Sequence, residues 1–163
     1  MGIAIESKVK VIVATPTVDT AIYAANDRLG SIVELTNAMD NSSGTGTIMS
    51  IAVVDKASQS AAFDVMFFDD LPTVASADNA ALSITDAEMA AKFVGAVRVA
   101  AADYIILAAN HAATVKNVGL VVSAMKSETN STGKSLFMLL RSAGTPTYTS
   151  TTDLVVTIGI KQD

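Results

Sequence analysis

The chain has 163 residues, 50% of them hydrophobic and 17% charged, with 16 acidic against 11 basic side chains for a net charge of −5. That is one domain's worth of chain, long enough to bury about 68–70% of its unfolded surface without a disulfide or structural metal. The absence of Cys excludes thiol nucleophiles, thiolate metal sites and disulfide frameworks and fits a reducing cytoplasm, while a pI near 4.7 leaves no basic face for nucleic acid.

At the start of the chain, Lys8 and Lys10 precede only a short apolar run, residues 11–14, so no secretory leader is expected. Glu6 stands where a myristoylation signal needs Ser or Thr. Lys8-Val9-Lys10-Val11-Ile12-Val13 alternates, which predicts a half-buried strand with Val9, Val11 and Val13 sharing one side. Residues 1–14 read equally as an N-terminal arm or an edge strand. Asn26-Asp27-Arg28 before Gly30 predicts a turn into a strand over 31–35. Asn41-Ser42-Ser43-Gly44-Thr45-Gly46 is the clearest loop, and its Gly44-x-Gly46 pair lacks the rest of a dinucleotide fingerprint. Residues 47–54 and 62–68 are then expected as an antiparallel pair joined through 55–60.

The period changes at Thr85-Asp86-Ala87-Glu88, a capping box that predicts one short α-helix near 86–94, with Met89, Phe93 and Val94 on one face and an end near Gly95. Strands resume over 96–100, 103–108, 117–124, 135–141 and 154–160, separated by small polar clusters. Mean hydropathy is +0.44, but the longest apolar uncharged run, 104–115, falls short of the about 20 residues that span a bilayer, so no membrane partner is expected. About nine strands and one helix predict an all-β fold: a two-sheet β-sandwich in one domain spanning 1–163.

Catalytic and metal chemistry find little support. His111 is the single histidine and falls in an expected loop with no nucleophile motif around it. Ser131-Thr132-Gly133-Lys134-Ser135 imitates a phosphate loop, but Glu128 occupies the position of its first glycine; a hairpin turn is expected instead. Asp64, Asp69, Asp70, Asp78 and Asp86 are the densest carboxylates, and Ca²⁺ takes such ligands, yet the spacing fits no calcium loop, and Asp86 suits a helix first turn. Whether Asp69, Asp70 and Asp78 bind a cation is not fixed by their spacing. Asn41 and Asn130 head sequons that matter only in a eukaryotic secretory pathway. No enzyme activity, cofactor or metal is expected.

Two strands are apolar on both sides. Leu136, Met138 and Leu140 face away from Phe137 and Leu139, and Phe63, Val65 and Phe67 face away from Met66 and Phe68. A sandwich strand with two apolar sides needs two covers, supplied by another subunit or by a long loop of the same chain.

The order of segments adds a resemblance. Tyr23-Ala24-Ala25-Asn26-Asp27-Arg28-Leu29-Gly30, Gly44-Thr45-Gly46-Thr47-Ile48-Met49-Ser50-Ile51 and Phe63-Asp64-Val65-Met66-Phe67-Phe68-Asp69 are followed by Asp78-Asn79-Ala80-Ala81-Leu82 and the capping box. Thr152-Asp153-Leu154-Val155-Val156-Thr157-Ile158-Gly159-Ile160 closes the chain's pattern. Together they resemble capsid decoration, or cement, proteins of tailed bacteriophages, over about residues 15 to 163. The resemblance implies a jelly-roll-like sandwich, made in the host bacterial cytoplasm, that sits as a homotrimer on the capsid exterior and bridges copies of the major capsid protein, with no catalytic residues. Trimerisation would bury the second apolar sides, so Met66, Phe68, Phe137 and Leu139 are the residues expected at the oligomer interface or in inter-layer packing. The rival expectation is a virion-associated adhesin or carbohydrate-binding β-sandwich module.

Overall fold

The computed structural model describes residues 8–163. Nine strands, β1 (Lys8–Ala14), β2 (Arg28–Leu35), β3 (Thr45–Asp55), β4 (Phe63–Phe68), β5 (Phe93–Val99), β6 (Tyr104–Ile106), β7 (His111–Ser123), β8 (Leu136–Ser142) and β9 (Leu154–Gln162), accompany one helix, α1 (Asp86–Lys92). They form two antiparallel sheets, in the orders β1-β9-β3-β7-β6 and β2-β8-β4-β5.

The pairing is nested. β1 pairs with β9, β2 with β8, β3 with β7 and β4 with β5, as if one long hairpin had been folded at its middle; β3 with β9 and β4 with β8 then seal the roll. This is a jelly roll, with β6 added outside β7. The expected β3–β4 pair is therefore corrected: these strands lie in opposite sheets, and the connection between them crosses the sandwich. Asp55 holds that crossing, accepting from the backbone N–H groups of Ala57, Gln59 and Ser60 at 2.7–3.0 Å.

The main core lies between the sheets, with Ile48, Ile51, Val53, Val156, Ile158 and Ile160 facing residues such as Leu29, Phe63, Val65, Phe67, Met138 and Leu140. Plain alternation would put Ile48 and Ile51 on opposite sides. Between Ile48 and Ser50, however, Met49 has no counterpart on β9, where Ile160 and Gly159 are consecutive partners. This bulge resets the phase, so that Ile48, Ile51 and Val53 all reach the core. Opposite it on β7, Asn117 and Gly119 adopt positive φ, 56° and 67°, and the inward set changes from Ala113 and Val115 to Leu120 and Val122. β7 consequently starts at His111, which belongs to a strand and not to the expected loop.

The helix is shorter than expected. Thr85 caps it by accepting from the Glu88 N–H, but the Glu88 carboxylate accepts from the Thr73 N–H (2.9 Å) and pairs with Lys92 (3.0 Å) in place of closing a capping box. Phe93 ends the helix and begins β5. At Gly95 a Cβ would meet Leu120 Cδ1 at 2.6 Å, so the missing side chain lets β7 close over the edge of the opposite sheet.

The second cover is intramolecular. Residues 69–92 leave β4, fold back over the outer side of the four-stranded sheet and return as β5. Val74, Leu82, Ile84 and Met89 from this excursion pack against Phe68, Phe137 and Leu139, and Phe68 and Phe93 meet edge to face at 5.6 Å. Hydrogen bonds fix both ends of the excursion, from Asp69 N–H to Lys92 O (3.0 Å) and from Leu82 N–H to Asn26 O (2.9 Å). Met66, Phe68, Phe137 and Leu139, expected in inter-subunit or inter-layer packing, all lie in the layer beneath this excursion. Phe68, Phe137 and Leu139 are fully buried within one chain, and only Met66 keeps partial exposure.

Leu139→Ala opens a hole in this layer. It is expected to destabilise the chain by about 2–5 kcal/mol in urea unfolding, while the solution mass of the folded fraction stays that of the parent.

Candidate functional site

The sequence-predicted polar residues are committed to holding the fold. Asp78 accepts from the Tyr23 hydroxyl (2.8 Å) and from the Gly30 and Asn79 N–H groups (2.7 and 2.9 Å). Asp70 accepts from Ser127 and Thr129 hydroxyls at 2.7 and 2.6 Å; burial pushes its carboxyl up, and these bonds outweigh that and hold it below the usual carboxylate range. Asp64 lies between Arg98 and Arg141, which engage it from β5 and β8. Its burial also acts upward, and the two guanidiniums more than offset it. Asp86 lies in the first turn of α1. Among the described residues no group of three or more Asp, Glu, His or Cys side chains is arranged to hold a metal ion.

Asp69 is the exception in this set. Its Oδ1 is buried with no hydrogen-bond partner, and burial followed by the charge of Asp70 pushes its carboxyl above the ordinary value.

His111 gains a neighbour that the sequence reading missed, because Ser60 lies 51 positions away: its Oγ is 2.5 Å from Nδ1. The nearby carboxylate, Asp55, is already occupied by the three backbone N–H groups of its loop, so it does not orient the ring as a triad acid does. Asn130 is buried, with its amide donating to Asp69 O and Ser135 O. Residues 131–135 belong to a loop between sheets, not a hairpin.

What remains unpartnered is a surface. Among the described residues no layer lies over the outer side of the five-stranded sheet, and most of their large exposed apolar side chains lie on it or at its edge. Val9, Val11 and Val13 do share one side of β1, but it is the outer one, where they are 64–71% exposed; Ile12 and Ala14 take the core side. Lys8 and Lys10 turn the other way, Lys8 to Asp40 (3.0 Å) and Lys10 to the carbonyls of Thr36 and Asn37 (3.2 and 2.7 Å).

Across the sheet the row continues through small residues: Val11 lies opposite Gly159, which lies opposite Ser50, and Val13 opposite Thr157, which lies opposite Ala52. Val54 and Val121 add further exposed apolar area. The charged side chains in these outward positions of the described strands are Lys116 and Lys161, and Lys161 pairs with Asp163 just past β9 at 3.8 Å. A flat apolar sheet face carrying two cations, on a chain of net charge −5, has the properties of a docking surface.

A second feature lies on the opposite side of the molecule. Between the outer side of the four-stranded sheet and the excursion runs a groove of about 440 Å³, with Met66, Leu82, Ile84, Met89 and Ala96 along its walls and Asn26, Asp64 and Arg141 at its polar end.

No family model matches the chain, and no curated protein matches it. Among solved structures, one from Desmodium yellow mottle tymovirus is similar over 99% of this chain and 91% of its own, at 10% identity and a TM-score of 0.28, too low to weigh on fold or role; the jelly roll rests on the strand order.

Asp69→Asn supplies the neutral form that the site favours. A carboxyl whose folded pKa is raised contributes stability that is complete below its unfolded value, 3.8, and lost as pH rises through the folded value. The variant is therefore expected to melt a few degrees above the parent at pH 7, as a change of under about 1 kcal/mol would produce. The gain should vanish as the pH approaches 3, when thermal melts are compared across that range.

Proposed function

We propose that the protein is a structural component of a phage virion, which binds the outside of the capsid as a homotrimer and stabilises it by bridging coat subunits. The observation that carries this reading is the naked face of the five-stranded sheet. One sheet of the jelly roll is covered by the chain's own excursion and the other is left largely apolar on its outer side, as befits a protein whose work is contact.

The mechanism is binding alone. Val9, Val11, Val13 and Val121 supply apolar area on docking, at roughly 25 cal/mol per Å² removed from water, and Lys116 and Lys161 favour an acidic coat surface. Separating two coat subunits would then also require breaking the contacts of the protein that bridges them. Three copies joined in one body multiply a modest single contact through effective concentration, and the net negative charge keeps a dense array soluble.

The chemistry supports this reading over its rivals. All three Tyr and five Phe are buried or half-buried, so no exposed aromatic platform is on offer to a glycan, the feature that an adhesin or carbohydrate module would need. Asp64, Asp70 and Asp78 are bonded within the fold, and Asp69 Oδ1 is buried.

Purified protein is expected to co-sediment with undecorated capsids of the virus that encodes it. Val11→Asp combined with Val121→Asp should lower capsid affinity at least tenfold, a loss of about 1.4 kcal/mol, without lowering the melting temperature by more than a few degrees. Capsid binding that is unchanged in this variant would remove the face from the mechanism, and no binding by the parent would remove the capsid.

A further inference from the structure

The hairpin between β6 and β7 ends in an unusual tip. Ile105, Ile106 and Leu107 are 67, 75 and 51% exposed, and Ala108 and Ala109 after them are exposed as well. Five consecutive solvated apolar residues are unfavourable on an isolated surface. The tip is nonetheless held in place, closed by the Leu107 N–H to Asn110 O bond (3.1 Å) and anchored at its base by the Tyr104 hydroxyl, which donates to Ala61 O (3.3 Å).

The groove on the four-stranded sheet has the complementary chemistry. Its walls are aliphatic and thioether side chains, and Asp64 and Arg141 line its polar end; Arg98, paired with Asp64 from β5 beside the groove, brings the local balance to two guanidiniums against one carboxylate. An occupant should therefore combine aliphatic side chains with a carboxylate.

We infer that the occupant is the β6–β7 tip of a second copy of this chain, with Ile105 to Leu107 against the apolar walls and Asp103 toward Arg98 and Arg141. Asp103 is exposed at the base of the tip, where one of its carboxylate oxygens accepts from the Ala100 N–H (2.8 Å). Arg98 and Arg141 both lie opposite Asp64, and Ala96 lies opposite Met66, so the charged end of the groove and its apolar wall are two strand residues apart, about 6.6 Å. Asp103, the last residue of a 3-10 turn, precedes Ile105 of β6 by two positions. A copy does not fill its own groove, because the tip belongs to one sheet and the groove to the outer side of the other.

Tip and groove are different patches, so the contact is head to tail, a geometry that yields closed rings when the rotation between copies permits. The inference rests on the homotrimer of the proposed function and names the contact that closes it.

A mixing experiment tests it. The parent is expected near three times 16.8 kDa by light scattering after size exclusion. Ile106→Asp with Leu107→Asp removes the tip and keeps the groove; Ala96→Glu blocks the groove and keeps the tip. Each variant alone should run as a folded monomer, and their equimolar mixture should shift to about twice the 16.8 kDa chain mass, since one intact tip and one intact groove then make a single contact. Ile84→Glu blocks the groove from its other wall and replaces Ala96→Glu if that variant does not fold. A mixture that stays monomeric, a variant that stays trimeric or a parent that is monomeric overturns the contact. Capsid co-sedimentation is read separately: a trimer that assembles in this way but ignores capsids would sink the virion role and leave the contact standing.

Discussion

Strand β8 sets the conditions for the rest of the molecule, because Leu136, Phe137, Met138, Leu139 and Leu140 are consecutive and buried, leaving it no side for water. It runs second in its sheet, between β2 and β4, so one set of its side chains enters the sandwich core and the other must find a layer outside. Residues 69–92 are that layer. Their apolar side chains are few and spaced by small polar residues, and they hold position through backbone bonds to Asn26 and Arg28 and from Asp69 to Lys92 more than through their own helix, which is two turns long.

That arrangement makes the molecule asymmetric. The four-stranded sheet is covered within the chain, with a groove where the cover does not fully close. The five-stranded sheet, built on small and β-branched residues, is left open. Its edge strand β1 is guarded less by its own charge than a free edge requires, because Lys8 and Lys10 are drawn into contacts with the β2–β3 connection and only valines remain on its outer side. Exposed area of this kind raises the risk of non-specific association, which the net charge of −5 opposes at long range without blocking a fitted partner.

The sequence showed its elements better than their neighbours. Strands 135–141 and 154–160 were legible to within two residues of β8 and β9, and Thr85 marked the start of α1, since alternation and capping are local signals. Pairing was not legible: contiguity favoured a β3–β4 hairpin, whereas a jelly roll pairs strands from opposite ends of the chain. The bulges at Met49 and at Asn117 to Gly119 were also hidden, because they depend on partner strands. The two-sided pattern of Phe68, Phe137 and Leu139 correctly demanded a second cover. Which cover it would be depended on residues 69–92 folding back, and no periodicity within that stretch announces it. For the same reason the open face escaped notice: Val9, Val11 and Val13 were seen to share a side, but nothing local to β1 tells the inner side from the outer.

The two surfaces left by this construction are suited to different kinds of contact. The open sheet is broad and flat, with little relief to fix orientation, so it favours a partner that is itself positioned, such as a repeating coat surface, and gains from being presented in several copies. The tip and groove are narrow, with one charged end that sets direction, so they favour a single registered contact. A head-to-tail contact that closes on itself has no free tip or groove to extend the chain into a filament. It also fixes the relative orientation of the open faces, so that the free energy of aligning them is supplied by the ring before a capsid is met.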